Sequence, residues 1–238
     1  MTEKTSLVLL PGLLLDQALW THQVETLTDL ADISVADLTL DDSIEAMASR
    51  VLENAPDTFA LAGLSMGGYV AQEIMRQAPQ RIERLALIDT SADADSPEQR
   101  ERRLGFIDQV NHGAFKGVTS RLLPLLIHED RLGDDVLTTR IMAMAEHVGK
   151  DAFLRQQNAI MNRKSGIDDL ADLSCAVLVM CGRQDMLTTL DQHRAMAAAA
   201  PGAKLVIVED CGHLSPLERP YAVSAALRYW LQGEEQSR

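Results

Sequence analysis

Cations are scarce in this chain: Lys and Arg number 22 against 35 Asp and Glu in 238 residues, a formal net charge of −13. Phosphate binding needs clustered cations, and an acidic chain repels polyanions at long range. Nucleic acid and anionic membrane are therefore not expected partners. The one dense basic cluster, Arg100, Arg102 and Arg103, is interleaved with Glu98 and Glu101, and reads as a solvated helix face with internal ion pairs. Cysteine is also rare. Cys175, Cys181 and Cys211 are an odd number without metal-ligand spacing, which argues against a disulfide framework and a zinc site. Cys175 and Cys181 bracket an apolar run, where cysteine behaves as a small buried hydrophobe. No apolar run approaches the roughly 20 residues a membrane helix needs. Lys4 followed by Leu7-Val8-Leu9-Leu10 superficially imitates a secretory signal, but Pro11-Gly12 interrupts it, and a strand and a turn explain it better. A reduced, cytoplasmic protein without metal or organic cofactor is the expectation.

What the chain does have is alternation. Short apolar runs rich in β-branched residues give way to helical patterns, which predicts parallel strands joined by crossover helices. Strands are expected at Leu7–Leu10, Ile33–Leu38, Phe59–Ala62, Leu85–Ile88, Ala176–Met180 and Lys204–Val208, giving an α/β fold with a mostly parallel sheet of about six strands. Asp16 and Ser43 are placed to cap the first two helices, and Ile44, Met47, Ala48, Val51 and Leu52 follow helical spacing. A last helix runs from about Pro220 to Leu231, and the polar residues after Gly233 read as a frayed tail. Residues 92–168 break the alternation with helix-like stretches only. They are read as an inserted all-helical cap, dividing the chain into a core of residues 1–91 and 169–238 and a cap of residues 92–168. Ligands of open α/β sheets bind outside the carboxyl ends of the strands, where such a cap would roof them.

Gly63-Leu64-Ser65-Met66-Gly67 stands where the third strand meets a helix, the context that a G-x-S-x-G elbow requires. Glycines on both sides let the backbone turn sharply and hold out the Ser65 hydroxyl as a nucleophile, although a serine there also suits a helix N-cap. Of six histidines, His213 alone lies on a strand-terminal loop, just after the last strand. An acid is expected after the preceding strand, and Asp185 of Gly182-Arg183-Gln184-Asp185 occupies that place; Asp89 and Asp210 are rival acids. In this arrangement Ser65 attacks, His213 takes its proton, and Asp185 fixes the imidazole tautomer. The amides of Met66 and of Leu13, in the loop after the first strand, are the expected oxyanion donors.

With these residues in the order Ser65, Asp185, His213, the chain resembles the α/β-hydrolase superfamily, and in particular its small bacterial serine esterase-like members with a helical cap. The resemblance spans nearly the whole length, including Gly182-Arg183-Gln184-Asp185 and Gly212-His213-Leu214-Ser215-Pro216-Leu217-Glu218-Arg219-Pro220. Pro11-Gly12 and Gly63-Leu64-Ser65 replace the His-Gly and Gly-His-Ser of many members, and the antiparallel N-terminal strands of larger members are expected to be missing. The resemblance implies hydrolysis of a carboxylic ester, thioester or lactone with no cofactor. Carbon–carbon bond hydrolysis or a lyase reaction on the same triad, and a ligand sensor that retains the triad, are the alternatives. The implied partner is a small molecule with an apolar acyl or alcohol part, a homodimer being allowed. Cap residues such as Phe106, Phe115, Leu122, Met144 and Phe153 are candidates to line its pocket, and Arg163 to bind a substrate carboxylate.

Overall fold

The computed structural model describes residues 4–113 and 115–233; the expected tail beyond Gly233 lies outside them. The six strands are β1 (Thr5–Leu10), β2 (Ala31–Val35), β3 (Phe59–Leu64), β4 (Ile82–Ile88), β5 (Ala176–Gly182) and β6 (Lys204–Val208). They form one sheet in the order β2-β1-β3-β4-β5-β6, with every neighbouring pair parallel. The helices are α1 (Thr21–Thr26), α2 (Ile44–Asn54), α3 (Met66–Gln77), α4 (Pro97–His112), α5 (Leu123–Leu126), α6 (Asp135–Met161), α7 (Leu190–Ala199), α8 (Ser215–Glu218) and α9 (Pro220–Gln232).

Strand periodicity divides the core into two layers. Successive side chains of a strand point to opposite faces, so Leu7, Leu9, Ala60, Ala62, Ala86 and Ile88 pack with Leu27, Leu227 and Trp230 on one side. Val8, Leu10, Leu61, Leu85, Leu87 and Val179 pack with Met47, Val70, Ile74 and Met196 on the other. Helices thus cover both faces, which is why the central strands read as unbroken apolar runs. The expected Ser43 cap of α2 forms, accepting from the Ala46 amide at 3.1 Å. Asp16 accepts from the Ala18 amide at 2.8 Å and caps a short 3-10 turn, Gln17–Trp20, ahead of α1, whose own N-terminus at Trp20 has no side-chain cap.

The connections leave β1 in one direction, to β2, and β3 in the other, to β4, so a crevice opens at the carboxyl ends of β1 and β3. Leu10 pairs with Gly63 there, placing the loop after β1 beside the turn after β3. Helices α4 to α6 lie between β4 and β5, and side chains of α6 reach back over this edge. Arg155, Gln156 and Asn158 donate to the carbonyls of Thr39, Leu38 and Asp42. Within the insertion, α6 runs through Gly149, whose φ of +79° breaks the helical path.

The glycines of the β3–α3 turn are fixed by close approach. A Cβ on Gly67 would fall on the carbonyl oxygen of Leu10, and one on Gly63 on the carbonyl of Gly67. Helix α3 therefore packs against β1 at a distance only glycine permits. Gly105, inside α4, has nothing within 4 Å of its added Cβ. The two Gly→Ala substitutions should have opposite signs. Gly67→Ala is expected to destabilise by about 1–3 kcal/mol through overpacking, lowering Tm by several degrees. Gly105→Ala should leave Tm unchanged or raise it, since alanine favours a helix by about 0.5–1 kcal/mol. Thermal melts of the two variants check this.

Candidate active site

Ser65 sits at the apex between β3 and α3 with φ +53° and ψ −116°, a strained conformation for a residue with a side chain. Backbone bonds hold it there: its amide donates to the Ile88 carbonyl at 3.1 Å, and its carbonyl accepts from Thr90 Oγ1 at 2.7 Å. Its hydroxyl makes no cap bond to α3. Instead it meets His213, whose Nε2 lies 2.9 Å from Ser65 Oγ. The capping alternative for this serine is thereby set aside.

The opposite ring nitrogen, His213 Nδ1, lies 2.8 Å from Asp185 Oδ2. Asp185 is fixed in turn by the amides of Leu187 and Thr188, at 2.8 and 3.0 Å on Oδ1, and by Thr188 Oγ1 at 2.7 Å on Oδ2. Its carboxylate thus has one orientation. Burial acts to raise the Asp185 pKa, but the His213 charge and the hydrogen bonds of His213 and Thr188 outweigh it and hold the group below the usual carboxylate value. Burial also pulls the His213 pKa down; Asp185, with help from Asp89 and Glu218, more than offsets this and raises it above 6.5.

Asp89 plays a different part from the one its position suggests. Its two oxygens accept the amides of Gly182, at 2.9 Å, and Ser215, at 3.1 Å, tying the ends of β4 and β5 to the loop that carries His213. Burial and the nearby Asp185 charge push its pKa up to about 8. Asp210 is exposed on a turn with φ +49°.

Several positioning contacts were invisible in the sequence pattern. Thr188 orients Asp185. Glu218, fully buried in α8, accepts the amides of Gly212 and Leu214 on Oε1, at 3.0 and 3.2 Å, and that of His128 on Oε2, at 2.7 Å. The loop bearing His213 is thus clamped from behind. The only sequence signal for Glu218 is its place five residues after His213. The His213 amide itself donates to the Leu126 carbonyl at 3.0 Å, so the insertion touches this loop directly. His193 is buried: its Nε2 accepts the Thr90 amide at 3.0 Å, and its Nδ1 lies 2.9 Å from the Thr189 carbonyl.

A cavity of about 840 Å³ opens over Ser65 and His213, walled by Leu13–Leu15 and by residues of the insertion including Phe106, Phe115, Leu122 and Phe153. Met144 instead packs in the core. Leu13 lines the cavity, and Met66 begins α3, where its amide has no intrahelical partner. Among the described residues neither amide has an acceptor.

Among the described residues, no salt bridge joins Arg100, Arg102 or Arg103 to Glu98 or Glu101, contrary to the expectation from the cluster's spacing. Arg103 reaches Asp95 at 2.7 Å, and Arg100 donates to the Met161 carbonyl at 2.8 Å, partners that lie outside α4 in the sequence. Arg163 binds the other oxygen of Asp95 at 2.5 Å, donates to the carbonyls of Asp93 and Ile160, and stacks 4.2 Å over the Tyr69 ring. It is a buried structural cation that also borders the cavity.

Cys211 is buried, and burial together with Glu218 pushes its thiol up, away from reactivity. Among the described residues no group of three or more His, Cys, Asp or Glu is placed to hold a metal ion, and no helix is long and apolar enough to cross a membrane.

Comparison with known proteins agrees with this architecture. The chain is 26% identical over 228 residues to the pimeloyl-(acyl-carrier protein) methyl ester esterase of Nitrosomonas europaea, covering 90% of each. It superposes on a thermophilic esterase from Thermogutta terrifontis, solved with malate bound, with TM-score 0.86, 29% identity and 96% and 89% coverage. The enol-lactonase of Burkholderia xenovorans LB400 shares the fold at TM-score 0.88 and 24% identity, over 97% and 92% of the chains. The sequence profile of the alpha/beta hydrolase family matches residues 7–227, and the chain belongs to that family of enzymes.

Proposed function

We propose that this chain is a serine hydrolase that cleaves a small carboxylic ester, thioester or lactone through an acyl-enzyme on Ser65. One observation carries the reading: the His213 ring spans Ser65 Oγ and Asp185 Oδ2 at 2.9 and 2.8 Å, hydrogen-bond reach for proton transfer on one side and tautomer control on the other. Ser65 Oγ attacks the carbonyl carbon as its proton passes to His213 Nε2. The oxyanion so formed is met by the amides of Leu13 and Met66, with the positive end of the 12-residue α3 behind it. The imidazolium then protonates the departing alcohol or thiol; water, deprotonated by His213, releases the acid and regenerates Ser65. The ester-cleaving activities in the names of the relatives support this bond class.

The cavity suits an apolar acyl or alcohol part. Its wall also inverts the sign of the protein, with Arg102, Arg103, Lys116, Arg121 and Arg163 against the single carboxylate of Asp93. Arg103 and Arg163 share Asp95, and Arg163 Nη2 has no acceptor among the described residues. We assign Arg163 to an anionic group on the substrate. The free thiols of Cys175, Cys181 and Cys211 support a reducing, cytoplasmic setting.

A series of p-nitrophenyl esters tests the reading. Repeated turnover is expected, with kcat/KM rising with acyl length until the cavity is filled. Arg163→Met should raise KM about tenfold for an acyl chain ending in carboxylate, the scale of one charge-assisted hydrogen bond, and leave a neutral chain unaffected. An equal loss for both would remove Arg163 from substrate contact. Cleavage of a dienoate carbon–carbon bond without ester turnover would overturn the ester reading.

A further inference from the structure

The loop after β1 is held by the insertion rather than by the sheet alone. Leu14 has φ +59°, a left-handed conformation that a leucine keeps only where its surroundings impose it. Its amide donates to Gln156 Oε1 at 3.1 Å, and Gln156 Nε2 donates to the Leu38 carbonyl at 3.1 Å. Gln156 is 0% exposed, so water does not compete for either bond. One side chain of α6 therefore ties the loop after β1 to the segment after β2. The same loop lies against the nucleophile: a Cβ on Gly12 would stand 3.2 Å from Ser65 Cβ. The Leu15 amide closes the turn on the Gly12 carbonyl at 3.2 Å. Leu13 sits inside this turn, between the residue that touches Ser65 and the residue that Gln156 holds.

We propose that Gln156 is a positioning residue for hydrolysis: by fixing Leu14 in its left-handed conformation, it aims the Leu13 amide at the developing oxyanion. The cap thereby completes the oxyanion hole as well as roofing the cavity. This rests on the acyl-enzyme reading of Ser65. Asn158, two residues along the same helix, provides the contrast: it donates to the Asp42 carbonyl at 3.0 Å and is exposed, docking α6 without touching the loop after β1.

Gln156→Leu removes both hydrogen bonds at similar volume. Since loss of one oxyanion donor costs about 10²–10³ in kcat, a fall of about 10²-fold is expected, with KM changed by less than about threefold. The inhibition constant of a trifluoromethyl ketone, whose serine adduct carries the oxyanion, should rise in step. Gln156→Met serves if the leucine variant fails to fold, and the same kcat loss is expected of it. Asn158→Ala should keep kcat within about twofold of wild type. Wild-type kcat and ketone affinity in a folded Gln156 variant overturn the proposal, as does an equal kcat loss in Asn158→Ala. Wild-type turnover that does not depend on Ser65 would instead mark failure of the underlying reading.

Discussion

Ser65→Ala is expected to lower ester turnover about 10⁶-fold, the scale seen when a triad serine is removed, while the fold survives. The hydroxyl bonds to His213 and does not cap α3, so its loss takes little from the folded state. The positions of Ser65 N and O, held by Ile88 and Thr90, do not depend on the side chain. A thermal melt close to that of the wild type, together with the kinetic loss, is the expected pair of results. Repeated turnover by this variant would place the nucleophile elsewhere.

Asp185→Asn should cost about 10⁴ in kcat, because an amide in that place favours the wrong imidazole tautomer. It should also move the pH profile in a definite direction. His213 acts as a base only when neutral, so kcat/KM rises as pH increases through its pKa. In the wild type that pKa lies above 6.5, since the charge and hydrogen bond of Asp185 overcome burial. Without the carboxylate burial dominates, and the acid limb should shift to lower pH. Asp89 is the informative comparison: it binds two backbone amides and no ring nitrogen of His213. A larger kcat loss in Asp89→Asn than in Asp185→Asn would reverse the assignment of the acid.

The parts of this molecule legible in its sequence are those set by local pattern. Six apolar runs became six strands because a sheet covered on both faces demands continuous apolar residues. Strands β3 and β5 extend beyond those runs, through Gly63-Leu64 and Cys181-Gly182, since backbone pairing continues where the apolar signal ends, whereas β2 runs Ala31–Val35 and stops short of the expected Leu38. Ser65, Asp185 and His213 were legible because each lies at a strand end beside its own motif, and the structure brings the three together. Gln156 was not, for its partner Leu14 lies 142 residues away and nothing in a glutamine within a helix announces a distant amide. The ion-pair reading of Arg100 and Arg103 failed for the same reason. Charge spacing along α4 suggested partners on that helix, whereas Arg103 and Arg163 converge on Asp95 from opposite ends of the insertion.

The central claim is that Ser65 is the attacking atom. It is tested most directly by exposing the wild-type protein to a fluorophosphonate and locating the adduct by peptide mass spectrometry. Stoichiometric modification confined to Ser65, and lost in His213→Ala, is the result the geometry predicts. Labelling of another residue, or none under conditions where the protein turns over esters, would contradict it.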